Sequence, residues 1–155
     1  RPARCYPAGM EIRPATPADL PTLLPLVERF WVFEKLPWEQ VDVRRVMGAL
    51  LADPTLGRVL IAEHEQQISG YLTLTFGYSI EHRGRDALVD ELYVEPATRG
   101  LGTGTLLLEA AAEVCCALGI TRVHLEVDHT NPRAHALYAR LGFRGQDRQL
   151  LTRPL

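Results

Sequence analysis

The run Thr98-Arg99-Gly100-Leu101-Gly102-Thr103-Gly104-Thr105 constrains the fold of this chain more than any other segment. It follows a stretch rich in Val, Leu and Tyr (87–94) and precedes an apolar helical stretch (102–118). Glycines let a backbone turn tightly and approach a ligand closely. The next helix presents unpaired N–H groups and a partial positive charge at its N-terminus, where an anion can bind. Arg99 adds a cation at the same place. Three readings compete. A Rossmann fingerprint needs a glycine where Thr105 stands, so that match fails. A Walker loop needs Gly-Lys-Ser/Thr after the glycines, which is missing. A glycine-rich turn without a ligand is the third, and the loop alone does not decide against it.

The rest of the chain alternates strands and helices. Residues 10–13 are a short strand candidate. Thr16, Pro17 and Asp19 make a helix start, with a hydroxyl cap, an early proline and an acid near the positive end. Leu20, Leu23, Leu24, Val27, Phe30 and Trp31 continue at helical spacing, although Pro21 and Pro25 predict a kink or a late start. A second stripe, Val43 to Leu51, closes at Asp53-Pro54. Residues 58–65 and 68–79 predict a hairpin turning at Gln66-Gln67. A charged loop at 82–86, strand 87–94, helix 102–118 capped by Gly119, strand 122–127 and helix 132–141 stopped by Gly142 follow. Residues 143–151 predict a final strand or strand pair. The order β-α-α-β-β-β-α-β-α-β implies an α/β fold, helices packed on one mixed sheet.

The 155 residues suit one domain over 10–155, with 1–9 as a leader lacking the apolar core of a signal peptide. A net charge of −2 gives no global field for nucleic acid. No apolar window is long enough to span a membrane. Cys115 and Cys116 lie side by side in the apolar helix stretch and fit a reducing, cytoplasmic setting.

The context of the loop is more specific than the loop. Arg99 to Gly104 reads R-x-x-G-x-G and follows Asp90-Glu91-Leu92-Tyr93-Val94-Glu95-Pro96; downstream stand Asn131, Ala134, Leu137-Tyr138 and Gly142-Phe143. In this order the segments resemble the GNAT superfamily of N-acetyltransferases from about Ile12 to Arg148. The resemblance implies a GNAT-type mixed central sheet flanked by helices, acetyl-CoA as co-substrate without a metal, and an amine acceptor. Loop N–H groups of Arg99, Gly100, Leu101, Gly102, Thr103, Gly104 and Thr105 would hold the coenzyme A pyrophosphate. The backbone of Leu92, Tyr93 and Val94, at a strand bulge, would pair with the pantetheine arm. Asn131 would meet its other side, and Tyr138 would lie beside the thioester sulfur.

Amide formation from a thioester needs a neutral amine, and an alkylamine with a pKa of about 10.4 must first lose a proton. A carboxylate, directly or through water, can take it. The Val94 N–H is the expected donor to the oxyanion. A phenol can protonate the departing thiolate, and Tyr138 is the candidate general acid. Asp90 and Glu91 are the leading bases and Glu126 the third; adjacent strand residues face opposite sides unless a bulge intervenes.

Five histidines without H-x-x-x-H spacing predict no metal centre. His124 and Glu126 share a strand face, which exposed polar positions explain equally well; Asp128 and His129 flank the strand end near Asn131 and could touch substrate, although surface positions are the better account. Phe30, Trp31, Phe33, Glu34 and Trp38 are core candidates or the lining of an acceptor pocket, where Glu28 and Glu34 would suit a cation. Phe76-Gly77-Tyr78-Ser79 resembles the superfamily branch that acts on small diamines. With no acidic stripe for basic peptides, a small-molecule amine is favoured over a protein amine. A homodimer is open. The alternative function is a catalytically silent coenzyme A sensor, and a dinucleotide oxidoreductase is disfavoured by Thr105.

Overall fold

The structure, a computed structural model, describes residues 9–147 and 149–154. Its centre is a five-stranded sheet in the order β1-β2-β3-β4-β5. The strands are β1 (Met10–Pro14), β2 (Gly57–His64), β3 (Gln67–Ser79), β4 (Gly84–Val94) and β5 (Val123–Leu125). The first four pair antiparallel and β5 joins β4 in parallel. Helices α1 (Leu20–Phe33) and α2 (Gln40–Ala52) precede β2, α3 (Thr103–Ala117) links β4 to β5, and α4 (Pro132–Arg140) follows.

Strand alternation divides the apolar residues between two cores. Leu60, Ala62, Leu72 and Leu74 face α3, meeting Leu107, Ala111 and Cys115. Val59, Ile61 and Tyr71 face the other way, meeting Leu23, Val27 and Met47 of α1 and α2. The β2–β3 hairpin turns one residue earlier than its sequence suggests, at Glu65 and Gln66, which have φ of 51° and 65°. Two successive left-handed residues match the right-handed twist of the strands they join.

The helix boundaries follow local chemistry. A 3-10 turn at Pro17–Asp19 leads into α1, so Pro21 falls in the first turn, where a missing N–H costs nothing. Asp19 reaches back to the Thr16 N–H at 2.7 Å. Helices α3 and α4 end alike. The Ile120 N–H bonds the Cys115 carbonyl at 2.9 Å, and the Phe143 N–H bonds the Tyr138 carbonyl at 3.0 Å. Gly119 and Gly142 supply the left-handed residue this cap requires, at φ of 72° and 87°.

Two expectations need correction. Residues 143–151 form no strand among their described members. Leu150 and Leu151 are adjacent rather than alternating, and at 76% and 85% exposure they gain no buried face. The β4 bulge lies at Asp90, not at Leu92–Val94. Val89 pairs with Leu74 and Glu91 with Thr73, which leaves Asp90 as the extra residue.

Candidate active site

The bulge reverses the facing of β4. Ala87 and Val89 pack on the α3 core, and beyond Asp90 it is Leu92 and Val94 that do so. Tyr93 turns to the α1/α2 core instead. The bulge coincides with a fork in the sheet, because the pairing of β4 with β5 ends at Val89 and Leu125. Past the fork, one edge of β4 faces a cleft of about 1040 Å³. The phase of the ladder decides which groups turn that way. Glu95 N–H bonds the Ser69 carbonyl at 2.8 Å. Antiparallel alternation then sends the peptide groups of Tyr93 to β3 and those of Leu92 and Val94 into the cleft.

The glycine loop forms the next wall. Gly100 and Gly102 both have φ of 87°, a conformation that a side chain makes costly. The buried Thr103 pins the turn, its hydroxyl donating to the Thr98 carbonyl at 3.4 Å. Gly104 differs: a Cβ there would meet Leu137 at 3.5 Å, an ordinary contact. The loop leads directly into the N-terminus of α3, whose first-turn N–H groups have no partner within the helix and lie at the cleft wall. The Arg99 N–H, expected among the donors, is instead taken by the Pro96 carbonyl at 3.3 Å. The Arg99 guanidinium folds back over the strand end. Its Nε donates to the Val94 carbonyl at 2.9 Å, and its head lies 5.7 Å from the Phe33 ring centre and 5.9 Å from that of Tyr93.

Two acids stand at the fork. Glu91 is half-buried and accepts hydrogen bonds from Trp31 Nε1 at 2.6 Å and from the Tyr71 hydroxyl at 2.8 Å. Burial raises its pKa, the two donors pull it back, and neighbouring Asp90 pushes it up again. The bulge brings both acids to the cleft. Asp90 keeps contact with solvent, yet loss of hydration at the cleft wall still raises its carboxyl above the usual carboxylate value.

Tyr138 enters from α4. Its ring packs edge-on against Phe143 at 5.9 Å, a contact set by the helix cap. Burial raises its hydroxyl pKa, and the nearby Glu34 carboxylate adds to the rise. Asn131 also lines the cleft, but its side-chain oxygen caps α4 by accepting from Ala134 N–H at 3.1 Å.

Leu92, Tyr93, Val94, Thr103 and Thr105 line the same cleft as Asp90, Glu91, Tyr138 and Asn131, and so does Glu126. Leu101 does not line it; its side chain is 48% exposed. Phe30, Trp31, Phe33 and Glu34 line the α1 side, together with Leu36. Trp38 stays outside and braces Trp31 edge-on at 5.8 Å. Glu28 also lies outside. Asp128 touches the cleft while holding Thr130 N–H at 2.7 Å, and His129 stacks on His135. Phe76–Ser79 is remote, at the far end of β3. Tyr71 and Leu36 are contributors that sequence spacing missed: Tyr71 reads as one more strand aromatic, and only the pairing of β3 with β4 sets it under Glu91.

Residues 23–143 match the Acetyltransferase (GNAT) family. The chain is 32% identical to a thialysine N-epsilon-acetyltransferase of Bos taurus over 147 residues, covering 87% of this chain and 84% of that protein. An integron cassette protein from the mobile metagenome of Cole Harbour Salt Marsh superposes with a TM-score of 0.84 at 31% identity, over 93% of this chain and 90% of that one. A predicted acetyltransferase of Clostridium acetobutylicum, solved with acetyl-CoA, shares the fold at a TM-score of 0.79 and 22% identity, over 93% and 96% of the two chains. With the family model matched over most of its length and a named N-acetyltransferase at 32% identity, this chain belongs to the GNAT family as an N-acetyltransferase.

Proposed function

We propose that the chain transfers an acetyl group from acetyl-CoA to a primary amine of a small molecule, by direct attack in a ternary complex. The observation that carries this reading is the freed β4 edge. Peptide groups of Leu92 and Val94 face a cleft whose next wall is the Gly100–Gly102 turn and the start of α3. An extended pantetheine arm fits such an edge as an added strand. The loop N–H groups and the α3 dipole suit a pyrophosphate.

Within this reading each group has one task. The Val94 N–H stabilises the developing oxyanion. Asp90 accepts the amine proton, through water where needed; both oxygens of Glu91 are already engaged, which leaves Glu91 to hold the fork and add negative potential. The Tyr138 hydroxyl, kept protonated by its raised pKa, donates to the departing thiolate. Trp31, Phe33 and Leu36 form an apolar entrance with Glu34 as a counter-charge, which suits a cationic amine on a short aliphatic chain. The name of the bovine relative, a thialysine N-epsilon-acetyltransferase, points the same way. The free thiols of Cys115 and Cys116 are in keeping with a cytoplasmic setting; among the described residues no helix is long and apolar enough to cross a membrane.

Calorimetric titration with acetyl-CoA, followed by an amine panel scored by release of free thiol, tests the proposal. Saturable binding with turnover on short diamines or lysine-like amino acids is the expected result. Turnover confined to protein amines would overturn the acceptor class. Binding with no turnover on any amine would turn the chain into a coenzyme A sensor.

A further inference from the structure

Outside the cleft, at the closed end of the β4–β5 fork, three residues distant in sequence converge. His82 comes from the loop before β4, Asp86 from the start of β4, and His124 from the middle of β5. One ligand atom from each lies within 4.8 Å of the other two. The pairing explains the convergence. Leu88 stands opposite His124, and Asp86 lies two residues before Leu88, so both side chains project from one face of the sheet. The His82 ring follows, 5.0 Å from that of His124 and tilted by 30°.

Two details indicate that this convergence is built for a ligand. His124 Nε2 is shielded from solvent and has no hydrogen-bond partner. Asp86 Oδ2 stands 3.7 Å from it, within ion-pair reach but beyond hydrogen-bonding distance. A buried ring nitrogen left so costs stability unless something fills the gap. The second detail is Gly77, directly across the sheet from Asp86. With no side chain at Gly77, the Asp86 carboxylate lies over that position; a Cβ there would push it aside.

We infer that His82, Asp86 and His124 bind a divalent transition-metal ion of the zinc class. Two imidazoles and one carboxylate are the donor set that Zn²⁺ accepts with three protein ligands, leaving its fourth position to water. Two ligand atoms on a tetrahedral ion at about 2.1 Å lie roughly 3.4 Å apart, so the gap between His124 and Asp86 closes with a small movement. Paired H-x-x-x-H spacing is absent because the ligands come from a loop and two strands. The sequence expectation of no metal therefore missed it. The ion would tie the β3–β4 connection to β5, where only three residue pairs hold that strand. This inference stands independently of the acceptor amine.

The test uses the full chain, untagged and stripped with a chelator, titrated with Co²⁺ by visible absorption and with Zn²⁺ by calorimetry. Binding of one equivalent, with the intense visible bands of a low-coordinate Co²⁺ site and a higher melting temperature, is expected. His82→Asn lies in a loop and leaves the sheet intact; it, Asp86→Asn and His124→Ala should each weaken binding at least about tenfold. His129→Asn and His135→Asn, in the other histidine pair, should leave it unchanged. Absence of saturable binding, or binding lost in the His129 or His135 variants but kept in the His82 variant, would overturn the assignment.

Discussion

At the residue scale, the fork places two acids side by side and gives them different surroundings. Glu91 has both oxygens hydrogen-bonded by Trp31 and Tyr71, while Asp90 sits on the bulge with its carboxyl toward the cleft. If Asp90 is the base, Asp90→Asn lowers turnover by about 100-fold or more and removes the acid limb of the kcat–pH profile. That limb is displaced upward from the free aspartate value, since burial raises the Asp90 pKa. The same shift has a stability consequence of opposite sign. A carboxyl whose pKa rises on folding costs stability when ionised, a deficit that develops as pH climbs past the unfolded value of about 3.9. Urea unfolding at pH 7 should therefore find Asp90→Asn more stable than the parent, with the gap closing below about pH 4. An equal or lower midpoint at neutral pH would mean the carboxylate is favourably held. Tyr138→Phe should reduce turnover by about 100-fold with acetyl-CoA affinity nearly unchanged; steady-state rates beside a binding isotherm separate the two. Unaltered turnover would remove the general-acid role.

At the element scale, the glycine loop shows that two glycines of one motif serve different purposes. Gly102 caps α3 with φ of 87°, and a Cβ there would meet nothing within 4 Å. Its requirement is conformational, so Gly102→Ala should cost about 1–2 kcal/mol of stability. Gly104 lies inside α3 with ordinary φ and ordinary room. Gly104→Ala should keep or raise the melting temperature, because alanine is the better helix former by about 1 kcal/mol. It should nonetheless weaken acetyl-CoA binding if the pyrophosphate rests on this turn. Melting curves and titrations of both variants check the contrast, and full affinity in Gly104→Ala would move the phosphate elsewhere. The motif announced this loop in the sequence. What it hid was the bulge, since Asp90 becomes the extra residue only when β4 is laid against β3.

At the scale of the whole molecule, one polar network fastens the first strand to the first helix. Arg13 on β1 binds Asp19 at 2.8 Å and Glu63 on β2 at 2.8 Å, while Asp19 also receives the Thr16 N–H. The Arg13 guanidinium holds the Asp19 carboxyl well below the usual carboxylate range. Such a depressed group contributes stability that is complete above its unfolded pKa of about 3.9 and fades as pH falls toward the folded value. Asp19→Asn should cost about 1–2 kcal/mol at pH 7, and urea midpoints of parent and variant should converge as pH drops through 4 to 2. A pH-independent difference would place the effect in packing. Local signals in the sequence determined much of this architecture: runs of strand-forming Val, Ile, Leu, Tyr and Thr marked β2 to β4, capping residues bounded α1, α3 and α4, and the glycine motif located the cleft wall. They erred where local pattern had no partner to act on, as in residues 143–151, whose described members form no strand. Only the tertiary structure decided which acid is held and which is open, that Tyr71 supports Glu91, and that His82, Asp86 and His124 meet. These depend on strand register and on the forking of β4 from β5, relations between segments tens of residues apart that no local spacing encodes.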